Sequence, residues 1–449
     1  MGFWFTILLS LSGYFLIGYH IERNNFHWFF LVYSGLFLLY LKLAYGKPLS
    51  FRNIIALAFL FRLVLLLVEP GLSDDYHRFL WDGYLGNAGL NPYEYRPDEL
   101  MALKPDIVGI SEKLYSQLNS RGYYSIYPPL NQLFFRAAAL ISQGDTTIAL
   151  VALRVFLILL DLLAIFVLSK LLNRLELSIR PLTLYALNPL VIIEFSGNLH
   201  FEVLVVLCLG LAVYFLIKRQ SMLSAFAFSL SVLAKLMPVI VLPYLIKRLR
   251  AGVLLYYAVI GLITGLFFYN LWDFTIMRKF YSSLQLYFAQ FEFNAGFYYA
   301  MKGIGTVFNI PLHKWIQPIL PLLVFFLISL SAFREKQADW RNLFVKVLFA
   351  WTAYFFLATT VHPWYIIPLI AFSILTKYRY PILWSALIPL SYITYSTTPY
   401  TENLYLVALQ YILLLIFLSY EILTYVNIPV RKIVYSNRLL RFLLLKSIP

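Results

Sequence analysis

Cysteine and charge are both scarce in this chain. Cys208 is the only cysteine among 449 residues and lies in an apolar run, which excludes a disulfide framework and a thiolate metal site. Charged residues make up 13% of the chain against 61% hydrophobic, and the mean hydropathy is +0.76. No single soluble core needs that much apolar surface, so a soluble domain is excluded. The sequence also lacks an internal repeat, a low-complexity tract and a Gly-rich loop able to cradle phosphates, and the last absence argues against a nucleotide-sugar substrate. No basic segment precedes the first apolar run, so residues 3–19 read as a retained anchor rather than a cleaved signal.

Apolar runs of membrane-spanning length take the place of these features. They fall at about 3–19, 27–44, 53–69, 147–170, 181–196, 199–217, 251–269, 313–333, 342–360, 380–397 and 403–426. Shorter runs at about 222–235, 236–247 and 363–376 bring the upper count to 14. The expected fold is therefore an all-α polytopic membrane protein of about 12–14 transmembrane helices. Short loops and the tail hold 21 of the 36 Lys and Arg residues: Lys42, Lys47, Arg52, Lys170, Arg174, Arg180, Lys218, Arg219, Lys247, Arg248, Arg250, Arg334, Lys336, Arg341, Lys377, Arg379, Arg431, Lys432, Arg438, Arg441 and Lys446. The positive-inside rule places these in the cytoplasm. It also makes 222–247 two short helices meeting near Lys235, which sets that lysine at the outer face. The formal charge of +15 then suits anionic lipid headgroups rather than nucleic acid.

Carboxylates concentrate on the other side. Nine of the 21 acids lie between Asp74 and Asp145, in a long loop opened by Ser73-Asp74-Asp75-Tyr76-His77-Arg78-Phe79-Leu80-Trp81-Asp82-Gly83. Ser73 is a good N-cap, and Asp74 and Asp75 would then sit in the first turn, where the helix dipole keeps them ionised. If the helix runs to about Gly89, Asp75, Arg78 and Asp82 share one face, with Asp74 four residues from Arg78. Nearly sixty residues from Pro70 to Pro129, rich in Tyr, Pro and Asn, fit a structured cap. Asn91-Pro92-Tyr93 breaks its first helix, Pro97 can begin another, and Tyr127-Pro128-Pro129 makes a stiff return. Ordered loops of this length usually carry function.

Further polar groups fall at outer helix ends. Glu194 to Glu202 forms a tight polar turn containing His200; Lys235 precedes Pro238 at a helix break, where unwound backbone lines a cavity; and His362-Pro363-Trp364-Tyr365 starts a short helix. Residues 270–312 form a second, aromatic-rich excursion suited to a lipid or acceptor groove. Within the spans, Arg62 needs a partner, with Glu69 and Asp161 both available, and Arg154 with Asp161 suggests a buried bridge.

The Ser73–Gly83 stretch, followed by Gly89-Leu90-Asn91-Pro92-Tyr93 and Pro97, resembles the first-loop signature of bacterial GT-C glycosyltransferases. Tyr127-Pro128-Pro129, Gly197 with His200, Lys235 with Pro238, and His362-Pro363-Trp364-Tyr365 are similar to later marks of that group, so the likeness covers about residues 53–370. It extends distantly to the enzyme adding the first mannose to glycosylphosphatidylinositol, whose two aspartates are one residue apart; here they are adjacent, which leaves the choice of base open.

The resemblance implies an enzyme of the bacterial cytoplasmic membrane with its site facing the periplasm or exterior. It would move a hexose, commonly mannose, from a polyprenyl-phosphate donor to a hydroxyl of a glycan, lipid or protein acceptor, with inversion. Asp75, with Asp74 second, would be the general base; Lys235, His200 and His362 would stabilise the departing phosphate. Arg78 and Asp82 would orient the base, and Trp81, Asn91, Tyr93, Tyr127, Glu202, Trp364 and Tyr365 would orient or bind substrate. No cofactor is implied, although a divalent ion at Asp74 and Asp75 is compatible. The implied division is 1–52 as an N-terminal hairpin, 53–312 as the catalytic module with loops 70–129 and 270–312, 313–426 as further helices, and 427–449 as a basic cytoplasmic tail. An O-antigen ligase or polymerase, or a lipid-linked glycan transporter, is the alternative. A transporter would place its ionisable groups near the midplane.

Overall fold

The computed structural model describes residues 2–104, 106–249, 252–316, 319–336 and 338–425. Arg250 and the tail with Arg431, Lys432, Arg438, Arg441 and Lys446 lie outside them. The described residues form helices and no β-strand; a single bridge joins Phe293 to Thr360.

The chain begins with α1 (Phe3–Tyr19), α2 (Phe26–Tyr45) and α3 (Phe51–Leu63). The aspartate loop then holds α4 (Asp75–Asn87), α5 (Pro97–Ala102), α6 (Glu112–Gln117) and α7 (Pro129–Ser142), followed by the long α8 (Thr146–Arg174). Next come α9 (Leu182–Ala186), α10 (Pro189–Ile192), α11 (Glu202–Ile217), α12 (Ser221–Ala234), α13 (Leu242–Leu249) and α14 (Val253–Phe267). The second excursion contains α15 (Phe274–Gln290), α16 (Gly296–Val307) and α17 (Leu312–Ile316). The chain continues with α18 (Ile319–Phe333), α19 (Trp340–Leu357), α20 (Ile367–Ser373), α21 (Tyr380–Leu387) and α22 (Leu404–Tyr425).

Among the described residues α2, α8 and α22 are long and apolar enough to cross a bilayer, and the segments Pro189–Gly197 and Glu202–Ile217, bent by 114°, make a fourth if they form one span. Five shorter apolar helices lie at Phe3–Tyr19, Ser221–Ala234, Val253–Phe267, Ile319–Phe333 and Pro363–Ser373. Several apolar runs read as single crossings are thus broken pieces. Run 380–397 is α21 followed by a 3₁₀ stretch, Ile388–Ser396, with Pro389 in its first turn, because proline lacks the N–H that would continue the α pattern. Outward-facing Leu38, Leu254 and Leu322 are 69%, 81% and 70% exposed. Such apolar flanks on apolar helices are those of a membrane protein.

Inside the bundle the two arginines find different partners. Arg62 bonds Asp161 through Nε at 2.7 Å, both side chains being fully buried, while Tyr185 donates to the other carboxylate oxygen at 2.7 Å. Of its two candidate partners, Arg62 has Asp161. Arg154 does not bridge to Asp161: it donates to the carbonyls of Leu66, Val68, Ser196 and Gly197. It thereby ties the end of the third helical segment to the irregular turn before α11. Breaking such a buried pair costs about 3–5 kcal/mol, because the remaining charge is stranded.

The cap rests on α4 crossing α7. A Cβ at Gly83 would lie 2.4 Å from the Phe135 carbonyl oxygen, so the helices touch backbone to backbone there. Phe79 stacks on Phe135 at 4.5 Å. Helix α4 stops at Asn87, slightly short of the expected end, because Gly89 turns left-handed (φ +77°) and Leu90 N–H closes back on the Leu85 carbonyl at 3.0 Å. Pro97 begins α5 at its first helical position, and Pro129 does the same for α7.

Candidate active site

The start of α4 delivers two adjacent carboxylates to different neighbours. Asp74, rather than Ser73, is the N-cap residue; the Ser73 hydroxyl accepts from Asp75 N–H at 3.3 Å. Asp74 accepts from Arg23 Nη1 at 2.8 Å, and Arg23 itself lies over the rings of Tyr395 and Tyr400 and donates to the Tyr400 hydroxyl at 2.8 Å. Asp75 accepts from the Tyr127 phenol and the Asn119 amide. Burial, reinforced by the charges of Asp74 and Glu202, raises the Asp75 pKa to about 6, against the pull of the Tyr127 and Asn119 hydrogen bonds. The helix N-terminus does not by itself hold this carboxyl at its usual value, because desolvation outweighs it.

Glu202 opens α11 and forms a short ion pair with Lys235, whose ammonium stands 3.7 Å from the centre of the Tyr365 ring. Lys235 can reach across because α12 stops at Ala234 and the lysine backbone is extended (φ −162°, ψ 142°), with a 3₁₀ turn from Met237 beyond it. Two short helices do meet at this residue.

Beside this pair is a stack of flat rings. His200 lies 3.6 Å from Trp364 at 13°, Trp364 lies 4.4 Å from His362 at 3°, and Phe293 covers His362 at 4.7 Å. Phe293 is held there by its N–H to the Thr359 carbonyl (3.0 Å) and by Val361 N–H to its own carbonyl (2.8 Å). His200 Nε2 is 3.5 Å from Glu194, which also accepts from Asn198 at 3.1 Å and from Tyr392. Among the described residues the buried His362 Nδ1 has no hydrogen-bond partner.

The arrangement offers a partly buried carboxylate poised to accept a proton near neutral pH, a lysine within the same cluster, and two imidazoles on an aromatic wall. A comparison with protein families matches residues 15–250, a little over half of the chain, to the family described as "Alpha-(1->6)-mannopyranosyltransferase, N-terminal domain". The chain belongs to this family. No curated protein and no solved structure matches it. Family membership together with the apolar helices makes the chain a membrane glycosyltransferase. The likeness to GT-C mannosyltransferases read from the first loop agrees with the family match.

Most of the residues singled out in this mannosyltransferase-family chain meet in one place: Asp74, Asp75, Tyr127, His200, Glu202, Lys235, His362, Trp364 and Tyr365. Others do not reach Asp75. Arg78 bonds Asp82 at 2.7 Å and the carbonyls of Ser120 and Tyr123 at 3.2 and 2.9 Å. Asp82 in turn accepts from Ser125 and from Gln132 at 2.8 Å. Arg78 and Asp82 therefore brace the loop carrying Tyr127 rather than contacting Asp75, since the carbonyls of that loop lie within reach of the Arg78 guanidinium. Tyr93 also braces it, donating to the Tyr127 carbonyl at 2.7 Å, and Asn91 caps the Tyr93 N–H at 3.1 Å. Trp81 is fully buried against Tyr115 in the cap core.

A divalent ion at Asp74 and Asp75 fits poorly. Arg23 already occupies Asp74, and the described residues contain no group of three carboxylate, imidazole or thiol donors. Sequence reasoning missed Arg23, Asn119, Phe293 and Tyr395. Arg23 had a signal: it is a lone arginine in the short loop 20–25, on the side where the charge rule expects few cations. The others carry none, because their roles come from contacts across 66 or more residues of chain, apart from Asn119, which lies in the cap itself.

Proposed function

We propose that this chain is an α-(1→6)-mannosyltransferase that takes mannose from a polyprenyl-phosphate donor at the extracytoplasmic face. The single observation carrying this reading is that one of two adjacent carboxylates is neutralised by Arg23 while the other, Asp75, titrates at about 6 beside the Lys235 cluster. Asp75 removes the proton from the acceptor hydroxyl as that oxygen attacks the anomeric carbon, and the carbon–oxygen bond to phosphate breaks with its electron pair going to the phosphate. An α-linked product formed with inversion requires a β-linked donor. Lys235 meets the charge developing on the phosphate oxygen, and His200 and His362 supply N–H donors from the aromatic wall. Donor binding would draw Lys235 from Glu202.

The charge distribution supports the side of the membrane. Arg23, the cap and the Lys235 break all gather at the end of the bundle opposite the loops of Lys42, Lys170 and Lys377, which the positive-inside rule assigns to the cytoplasm. A lipid-phosphate donor suits that location, away from the nucleotide pool of the bacterial cytoplasm.

The test is transfer by the purified protein from synthetic polyprenyl-phosphate mannose to a mannose-terminated acceptor, with Asp75→Asn in parallel. Release of polyprenyl phosphate by the wild type and not by the variant is the expected result. Equal activity in Asp75→Asn would remove the base, and transfer from glucose or arabinose donors alone would replace the sugar.

A further inference from the structure

Between α15 and α16 a short strap, Phe291 to Asn294, runs from the cap to the ring stack. Phe291 meets Tyr123 of the cap edge to face at 5.8 Å, and its carbonyl accepts from the Thr360 hydroxyl at 2.8 Å. Phe293 bridges to Thr360, and its ring stacks on two others, His362 at 4.7 Å and Tyr395 at 6.2 Å. One residue of the strap thus touches both the stack that continues through Trp364 to His200 and the tyrosine that lies under Arg23.

Asn294, the next residue, holds the strap in place. It is fully buried and left-handed (φ +50°), a conformation that asparagine tolerates better than most side chains. A buried turn cannot leave its backbone groups to water, and a different segment meets each of them. The Asn294 N–H donates to Glu402 at 2.8 Å, its carbonyl accepts from the Tyr411 hydroxyl at 2.8 Å, and its side-chain amide donates to the Val361 carbonyl at 3.3 Å. Tyr411 reaches that carbonyl because α16 starts flush against α22: a Cβ at Gly296 would lie 2.5 Å from its ring.

Glu402 stands apart from the other partners by its chemistry. It is half-buried, yet both carboxylate oxygens are taken by neutral donors, the Asn294 N–H and the Tyr299 hydroxyl. The acid within the strap, Glu292, pairs instead with Lys302 at 2.7 Å. Hydrogen bonds to an ionised acceptor are stronger than neutral ones, so a carboxylate fixes this turn more firmly than a carbonyl would. Glu402 also belongs to the loop after the 3₁₀ stretch Ile388–Ser396, which carries Tyr400, the residue that accepts from Arg23. That loop therefore reaches Asp74 through Arg23 and Phe293 through Asn294.

We propose that Glu402 is a positioning residue of the transfer site: by fixing Asn294 it keeps Phe293 seated between His362 and Tyr395, so that the imidazole is held in one orientation. The use of that imidazole toward a donor phosphate rests on the proposed function; the clamp does not.

The experiment compares Glu402→Ala, Glu402→Gln, Phe293→Ala and the Glu402→Ala/Phe293→Ala double variant in the full chain. Hydrogen exchange read by mass spectrometry reports the clamp without turnover. Peptides covering residues 291–296 and 359–362 should exchange faster in Glu402→Ala and as in the wild type in Glu402→Gln, whose amide oxygen still accepts from Asn294, with peptides of α4 and α8 unchanged in both. In steady-state transfer from polyprenyl-phosphate mannose, Glu402→Ala should lower kcat about tenfold, the worth of roughly one good hydrogen bond, with the acceptor KM unmoved, and Glu402→Gln should keep the wild-type rate. The double variant should be no slower than Phe293→Ala alone, because Glu402 acts through that ring. Unchanged exchange at residues 291–296 in Glu402→Ala, faster exchange across the whole chain, a Glu402→Gln as slow as Glu402→Ala, or losses that multiply in the double variant would each overturn the assignment. A wild type without mannose transfer would defeat the proposed function, while the exchange result still decides the clamp.

Discussion

Arg23 Nη1 sits 2.8 Å from Asp74 Oδ2, joining the loop after α1 to the residue that caps α4, 51 positions later in the chain. The pair separates two adjacent carboxylates, of which the sequence puts Asp75 first and Asp74 second as base while leaving the choice open. Asp74 has a cation and Asp75 has only neutral donors, and burial raises the Asp75 pKa.

Asp75→Asn should reduce transfer by about 10²- to 10⁴-fold, the usual worth of a positioned general base. Stability should move the other way. The folded carboxyl titrates at about 6 against an ordinary 3.8, so between those values the folded state binds more protons than the unfolded one, and stability falls as pH rises. The variant loses that penalty, and its melting temperature at pH 7 should equal or exceed that of the wild type. A melting temperature well below the wild type would show that the carboxylate is structural.

The acid limb of the kcat/KM profile should fall near pH 6 in the wild type, because the proposed base, Asp75, must be ionised to act and burial raises its pKa to about 6. Arg23→Gln should move that limb upward by about 0.5, since the uncovered Asp74 charge opposes ionisation of its neighbour. A pH series on both proteins reads the shift, and a downward move would contradict the role given to Arg23.

Lys235→Ala should lower kcat/KM by about 10²- to 10³-fold through loss of charge stabilisation at the leaving phosphate. It should also raise the acid limb, because Glu202 is left unpaired beside Asp75. Steady-state kinetics with the lipid-phosphate donor check both effects; unchanged kinetics would return Lys235 to a purely structural pair.

Arg62→Leu or Asp161→Asn alone should destabilise the bundle by about 3–5 kcal/mol, because each strands a fully buried partner. Replacing both by leucine should recover most of the loss. Thermal unfolding in detergent, followed for the two single variants and the double, measures the difference.

Much of the site was legible because chemistry and spacing coincide there. A proline-broken helix end at Lys235, a polar turn at His200 and a Pro-capped start after His362 each announce irregular backbone carrying ionisable groups, and the charge rule assigns all three to one face. The roles of Arg78 and Asp82 were less legible: helix periodicity places them on the face of Asp75, but the carbonyls of the returning loop compete for the same guanidinium and win.

By itself the sequence determined the helical class, the membrane, the gathering of polar groups at one end and the family signature, because hydropathy, charge bias and helix-breaking residues act locally along the chain. Tertiary structure alone decided which aspartate pairs with Arg23, that Arg62 pairs with Asp161 while Arg154 holds carbonyls, and that His200, Trp364 and His362 form one stack. Each of these depends on which distant side chain arrives first at a buried charge or ring, and only packing settles that competition.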